Sequence, residues 1–222
     1  MDYLEFLDAD ARAMADLAVG RLDAVVPACP GWTVEELLRH TGGVHRWSMH
    51  IVRGGGPRVQ RQTGPEDADA VPEWFRAGAE ELGRLFRDTD PNTPCWTIDE
   101  TNPVAAYWHR RQALETVVHR VDLERALGIT PVIDTELALD GIDEVVSSLY
   151  PRQVGLQRCE PVAAIRLQAD DREFVLGEGD PVGTVSGPAA TVFLALWHRA
   201  DGDPDLSVSD GAAASLAAAV TP

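Results

Sequence analysis

Through most of the first 150 positions apolar residues recur at steps of three and four, the period of amphipathic helices rather than of strands. Leu4, Leu7, Ala11, Met14 and Leu17 predict a first helix over about 2 to 20, and Pro27, Pro30 and Gly31 break it. Thr33 and Glu36 have the spacing of a capping box and open a second helix, whose apolar stripe Leu37, Val44, Trp47 and Ile51 contains His40. Gly42-Gly43 costs that helix about 1 kcal/mol per glycine relative to alanine, which points to close packing against another backbone or to a kink. A polar, glycine-rich loop over about 54 to 71 precedes a third helix from Pro72 to about Arg87, marked by Trp74, Phe75, Leu82, Leu85 and Phe86. A loop with Pro91, Pro94 and Pro103 leads to a fourth helix over about 104 to 127, stopped by Gly128. Leu137, Ile142, Val145, Val146 and Leu149 mark a fifth, over about 134 to 149.

The period then changes. Residues 162–168 and 172–176 flank an Asp170-Asp171 turn and predict a hairpin. A short strand over 184–186, an apolar helix over 189–199, a strand over 206–209 and a closing helix over 212–220 follow. The predicted class is therefore α+β, with a helical domain over 1–152 and a small α/β domain over 153–222.

Composition narrows the function more than the fold. A net charge of −17 argues against nucleic acid, which needs a basic footprint, and against anionic membrane surfaces. The N-terminus does not resemble a signal peptide, and no apolar run approaches the roughly 18 residues of a membrane span. Cys29, Cys95 and Cys159 are far apart and form no Cys-x-x-Cys pair, which suits a reducing cytoplasm. The expectation is a cytoplasmic monomer or homodimer acting on small molecules.

The fourth helix carries the candidate chemistry. Glu115 and His119 are four residues apart, hence neighbours on one helix face, and Asp122 lies one turn further along it. With His40 from the second helix they make a two-His, one-carboxylate set, which binds zinc or a similar ion and leaves coordination positions open. Blander readings stand beside this one. His40 and His119 also fit as hydrogen-bonded core histidines, with Glu115 paired to Arg111 or Arg46. Asp122 either orients a metal-bound histidine, contacts substrate, or makes an ion pair with Arg120, Arg125 or another helix. His45 points about 140° away from His40 and is not expected to share its ion, while His50 and His109 are assigned to surfaces or helix-bundle edges. Cys29 is assigned to packing, because no activating base is evident in its turn.

The segments Cys29-Pro-Gly-Trp-Thr33, His40 seven residues later, and Glu115-x-x-x-His119-Arg-Val-Asp122-Leu123 together resemble the mycothiol-dependent maleylpyruvate isomerase family. That family belongs to the DinB-like superfamily of metal-binding helical bundles, and the resemblance covers most of the chain. It implies an up-down-down-up four-helix bundle followed by a small α/β C-terminal domain. It also implies a divalent metal, zinc, held by His40, Glu115 and His119, with mycothiol as thiol cosubstrate and a small-molecule electrophile. Arg199, after Leu196-Trp197-His198, is the best match to an arginine that the family uses from its C-terminal domain. The implied chemistry is addition of the activated thiol to the electrophile, leading to cis–trans isomerisation or to thiol transfer. Two alternatives stay open: a non-catalytic metal-binding or stress-related bundle, and a C-terminal part that is a ligand-binding or dimerising module.

Overall fold

The computed structural model describes residues 1–99 and 103–219, which divide into two compact units, Met1–Pro131 and Val132–Pro222. In the first unit α1 (Tyr3–Ala18) is capped by Asp2, whose carboxylate accepts from the N–H groups of Leu4 and Glu5. Next come α2 (Val34–Val52), α3 (Val71–Asp88) and α4 (Ala105–Ala126). Helices α1 and α2 each pack on both α3 and α4. The apolar residues of α4 point in many directions because the helix is buried on most sides: Trp108, Leu114, Val117, Val121 and Leu123 are all fully inaccessible. Trp108 is the largest of them. Its indole N–H donates to the Trp96 carbonyl at 2.8 Å, and the rings of Trp47, Trp96 and Tyr107 pack around it.

Gly42 and Gly43 sit inside α2 because their neighbours come too close for a side chain. A Cβ on Gly42 would lie 2.5 Å from the Trp74 ring, and one on Gly43 would lie 2.7 Å from the backbone carbonyl oxygen of Gln62. In an open helix Gly→Ala gains up to about 1 kcal/mol. Gly43→Ala is expected to reverse that sign and destabilise by about 1–2 kcal/mol, because a backbone carbonyl must move. Urea unfolding checks it; a stabilised variant contradicts the close approach.

The second unit begins with α5 (Thr135–Glu144), which continues through a π-wound stretch, Val145–Leu149, into α6 (Tyr150–Gly155). Strands β1 (Ile165–Ala169) and β2 (Arg172–Leu176) form the predicted hairpin, turning at Asp170 with φ +50°. β3 (Thr184–Gly187), α7 (Ala189–Leu196), β4 (Ser207–Val208) and α8 (Asp210–Ala218) follow. The sheet order is β2-β1-β3-β4, with β1 and β3 parallel and the outer pairs antiparallel. The fold is α+β, helices first and a small sheet after. The unit boundary at Pro131 lies earlier than the 152/153 division read from the sequence. The reason is α5, which packs on α7: Gly141 lets the Phe193 ring approach to where a Cβ would be only 2.4 Å away. The last residue of the predicted closing helix, Val220, lies outside the described residues.

Candidate metal centre

The start of α2 is fixed by local chemistry. In the segment before it, the Val26 N–H donates to the Trp32 carbonyl and the Trp32 N–H to the Cys29 carbonyl, with Gly31 at φ +84° supplying the turn. Glu36 accepts from both the N–H and the hydroxyl of Thr33, which completes the capping box. Two turns on, α2 carries His40 to α4. There the Nε2 of His40 lies 3.6 Å from Glu115 Oε1, and the Nε2 of His119 lies 3.4 Å from the same oxygen. One donor atom from each residue falls within 4.8 Å of the others, and this is the group of metal-binding residue types that converges among the described residues. A tetrahedral ion with bonds of about 2.0–2.1 Å separates its ligand atoms by roughly 3.3 Å, close to the two distances measured from Glu115 Oε1. Trp32 packs beside His40, with ring centroids 4.8 Å apart and the ring planes tilted by 47°.

Charges around this oxygen are arranged with care for burial. Burial alone would raise the Glu115 pKa, but the Arg111 guanidinium, with His119 and His40 next, holds it well below the usual carboxylate range. Arg111, itself 4% exposed, donates to the other carboxylate oxygen. His119 presents Nε2 to Glu115 and Nδ1 to the fully buried Asp122, at 3.1 Å. Burial lowers the His119 pKa, and the bonds to Asp122 and Glu115 outweigh it, raising the value to about 9. In the metal-free protein His119 is therefore protonated at neutral pH. Its raised pKa favours the folded state fully below about 6.5 and ceases to do so as pH rises through about 9. A divalent ion competes with that proton. Binding at pH 7 is expected to release about one proton, and apparent affinity to rise with pH up to about 9. Calorimetry in buffers of different ionisation enthalpy measures this; a pH-independent affinity with no proton release contradicts it.

The other candidates separate cleanly. Asp122 takes the orienting geometry toward His119, while Arg120 goes instead to Asp10 on α1, at 2.8 Å, and to Glu124. Glu115 has Arg111 as its ion-pair partner, as the bland reading allowed, and Arg46 lies over the Trp74 ring. His45 is a core histidine: its Nε2 meets the Thr116 hydroxyl at 2.9 Å, and burial pushes its pKa down to about 3. His50 is exposed, and His109 is half-buried against Phe86. Arg199 belongs to the second unit, where it donates to the Trp197 carbonyl. His198 Nε2 there meets the Ala219 carbonyl at 2.8 Å. Cys29 packs against the core of the first unit, in keeping with its assignment to packing, and its Sγ also lies 3.8 Å from Asp122 Oδ2. Only the joint position of the turn and α4 reveals that contact, since the residues are 93 positions apart.

The mycothiol maleylpyruvate isomerase N-terminal domain matches residues 4–124, and the MDMPI C-terminal domain matches residues 136–218. Curated protein sequences give no significant match. Among solved structures, the chain is similar to the crystal structure of the mycothiol-dependent maleylpyruvate isomerase, with a TM-score of 0.72 at 14% identity over 94% of this chain and 92% of that one. A crystal structure of a histidine-to-alanine mutant of that isomerase gives a TM-score of 0.71 at the same identity and coverage. At that identity the structural likeness speaks for the fold, while the sequence match over more than half of the chain decides the family. This chain belongs to the mycothiol maleylpyruvate isomerase family.

Proposed function

We propose that the chain is a metal-dependent enzyme that uses mycothiol, activating its thiol for addition to an electrophilic small molecule, with cis–trans isomerisation of a maleylpyruvate-like substrate as the reaction. The observation that carries this is the convergence of His40, Glu115 and His119 from two helices within one family's domain. A divalent ion held there would supply Lewis acidity, lowering the pKa of a bound thiol so that the nucleophilic thiolate persists at neutral pH.

The protein's own residues do the positioning. Asp122 fixes the His119 ring through Nδ1 and leaves Nε2 turned to Glu115. Arg111 holds the Glu115 carboxylate ionised by engaging one oxygen, which leaves the other facing both imidazoles. Trp32 packs against the His40 ring, which limits how that imidazole can turn. Arg199 is assigned, from the family resemblance, to holding a substrate carboxylate. Mycothiol bound at this centre would supply a thiolate able to add to the conjugated double bond, which would leave a single bond free to rotate, and to depart again as the same thiolate when the double bond reforms. No helix among the described residues is long and apolar enough to cross a membrane.

The test is thiol-dependent loss of the cis-enone absorbance of maleylpyruvate, with the zinc-loaded protein and mycothiol. Turnover that requires the thiol and leaves it unconsumed supports isomerisation. Consumption of the thiol into a stable adduct would shift the assignment to transfer, and turnover without thiol would contradict both.

A further inference from the structure

A second feature lies beside the candidate metal centre and inside the first unit. A cavity of about 300 Å³ is lined by His40 together with Trp32, Gly43, Arg61, Gln62 and Thr63, among others. That volume is at the small end of the range for ligand pockets. The wall over residues 61–63 is built onto α2 rather than draped over it. Gly43 lets the Gln62 carbonyl approach, and the Arg39 guanidinium donates to the carbonyls of Thr63 and Pro65 at 2.7 and 2.6 Å.

The charges around this cavity are unequal in what they are free to do. Glu36 is committed to the capping box with Thr33. Arg39 is committed to Glu35 at 2.7 Å and to the two carbonyls. Arg61 has no carboxylate partner among the described residues, in a chain with 36 acidic side chains. Its guanidinium carbon lies 5.0 Å from the centroid of the Trp47 ring. Trp47 is fixed in turn by its indole N–H, which donates to the Pro57 carbonyl at 3.1 Å. An aromatic face holds the guanidinium while leaving its N–H fork unspent.

We propose that Arg61 is a specificity-determining residue: it anchors an anionic group, a carboxylate, of a small ligand that lies in this cavity against Trp32 and His40. The indole supplies an apolar wall for an unsaturated carbon skeleton, and the guanidinium fork matches one carboxylate in bidentate fashion. A ligand so held has one end beside His40. This rests on the proposed function only in taking His40 as part of the reacting centre.

The test is equilibrium binding of maleate and of its uncharged counterpart, maleamide, to the zinc-loaded full-length protein, read by calorimetry in the wild type, Arg61→Gln and Arg61→Lys. Arg61→Gln is expected to weaken maleate by about tenfold or more, the usual worth of a charge-assisted pair, and to leave maleamide unchanged. Arg61→Lys keeps the charge without the fork and should fall between. Metal content should be equal in all three. Equal maleate affinity in wild type and Arg61→Gln overturns the proposal. So does equal weakening of both ligands, or a wild type that binds maleate no better than maleamide. Because no turnover is measured, the proposed reaction can fail on thiol dependence while this assignment stands, and the reverse also holds.

Discussion

His119→Ala is expected to lose the divalent ion and to lower thiol-dependent turnover by on the order of a thousandfold, while the chain stays folded. The loss removes one of three converging donors and strands the remaining two on different helices, His40 on α2 and Glu115 on α4. Lewis-acid stabilisation is worth several kcal/mol, and each 1.36 kcal/mol is a factor of ten in rate. The side chain also carries the bond to Asp122, so its removal leaves that buried carboxylate with one partner fewer. The fold should tolerate this at modest cost, because the surrounding core of Leu114, Val117, Val118 and Leu123 is apolar and unchanged. Elemental analysis and steady-state kinetics on the same sample check it. Full metal content in the variant contradicts the ligand assignment even if activity falls.

Arg111→Ala is expected to destabilise the metal-free first unit by about 3–5 kcal/mol, the cost of removing one partner from a buried ion pair. Glu115 is 15% exposed at the side chain and is kept ionised chiefly by this guanidinium. Without it the carboxylate must either remain charged among buried groups or take up a proton. Zinc supplies the missing positive charge, so the deficit should shrink on metal loading. Thermal unfolding with and without zinc measures both numbers. At roughly 2–4 °C per kcal/mol the metal-free shift is large and easily read. Wild-type stability in the metal-free variant contradicts the assigned role of Arg111.

Much of this centre was legible in the sequence because local chemistry fixes it. The Thr33/Glu36 pair sets where α2 starts, its period places His40, and four-residue spacing puts Glu115 and His119 side by side. What the sequence left open were choices among partners. Asp122 has Arg125 and His119 three residues away on its own helix face, and Arg120 two residues away. In the structure α1 brings Asp10 to Arg120, and Asp122 meets Nδ1 of His119. Burial of Asp10 beside that guanidinium raises its pKa to about 6 even so. The apolar stripe of α5 likewise says that the helix packs, not on what. Its attachment to α7 moves the unit boundary to Pro131. Gly42-Gly43 was readable as a close approach but not as the seat of the loop that carries Gln62.

Cobalt(II) titration of the metal-free protein, followed by addition of mycothiol, tests the central assignment most directly. Visible absorption reports the ion's surroundings, and a near-ultraviolet charge-transfer band reports sulfur reaching it. The account predicts saturation at about one equivalent, a spectrum of low coordination number, a new sulfur band on adding the thiol, and loss of all three in His40→Ala and His119→Ala. Binding of cobalt that is the same in wild type and in both variants would contradict it.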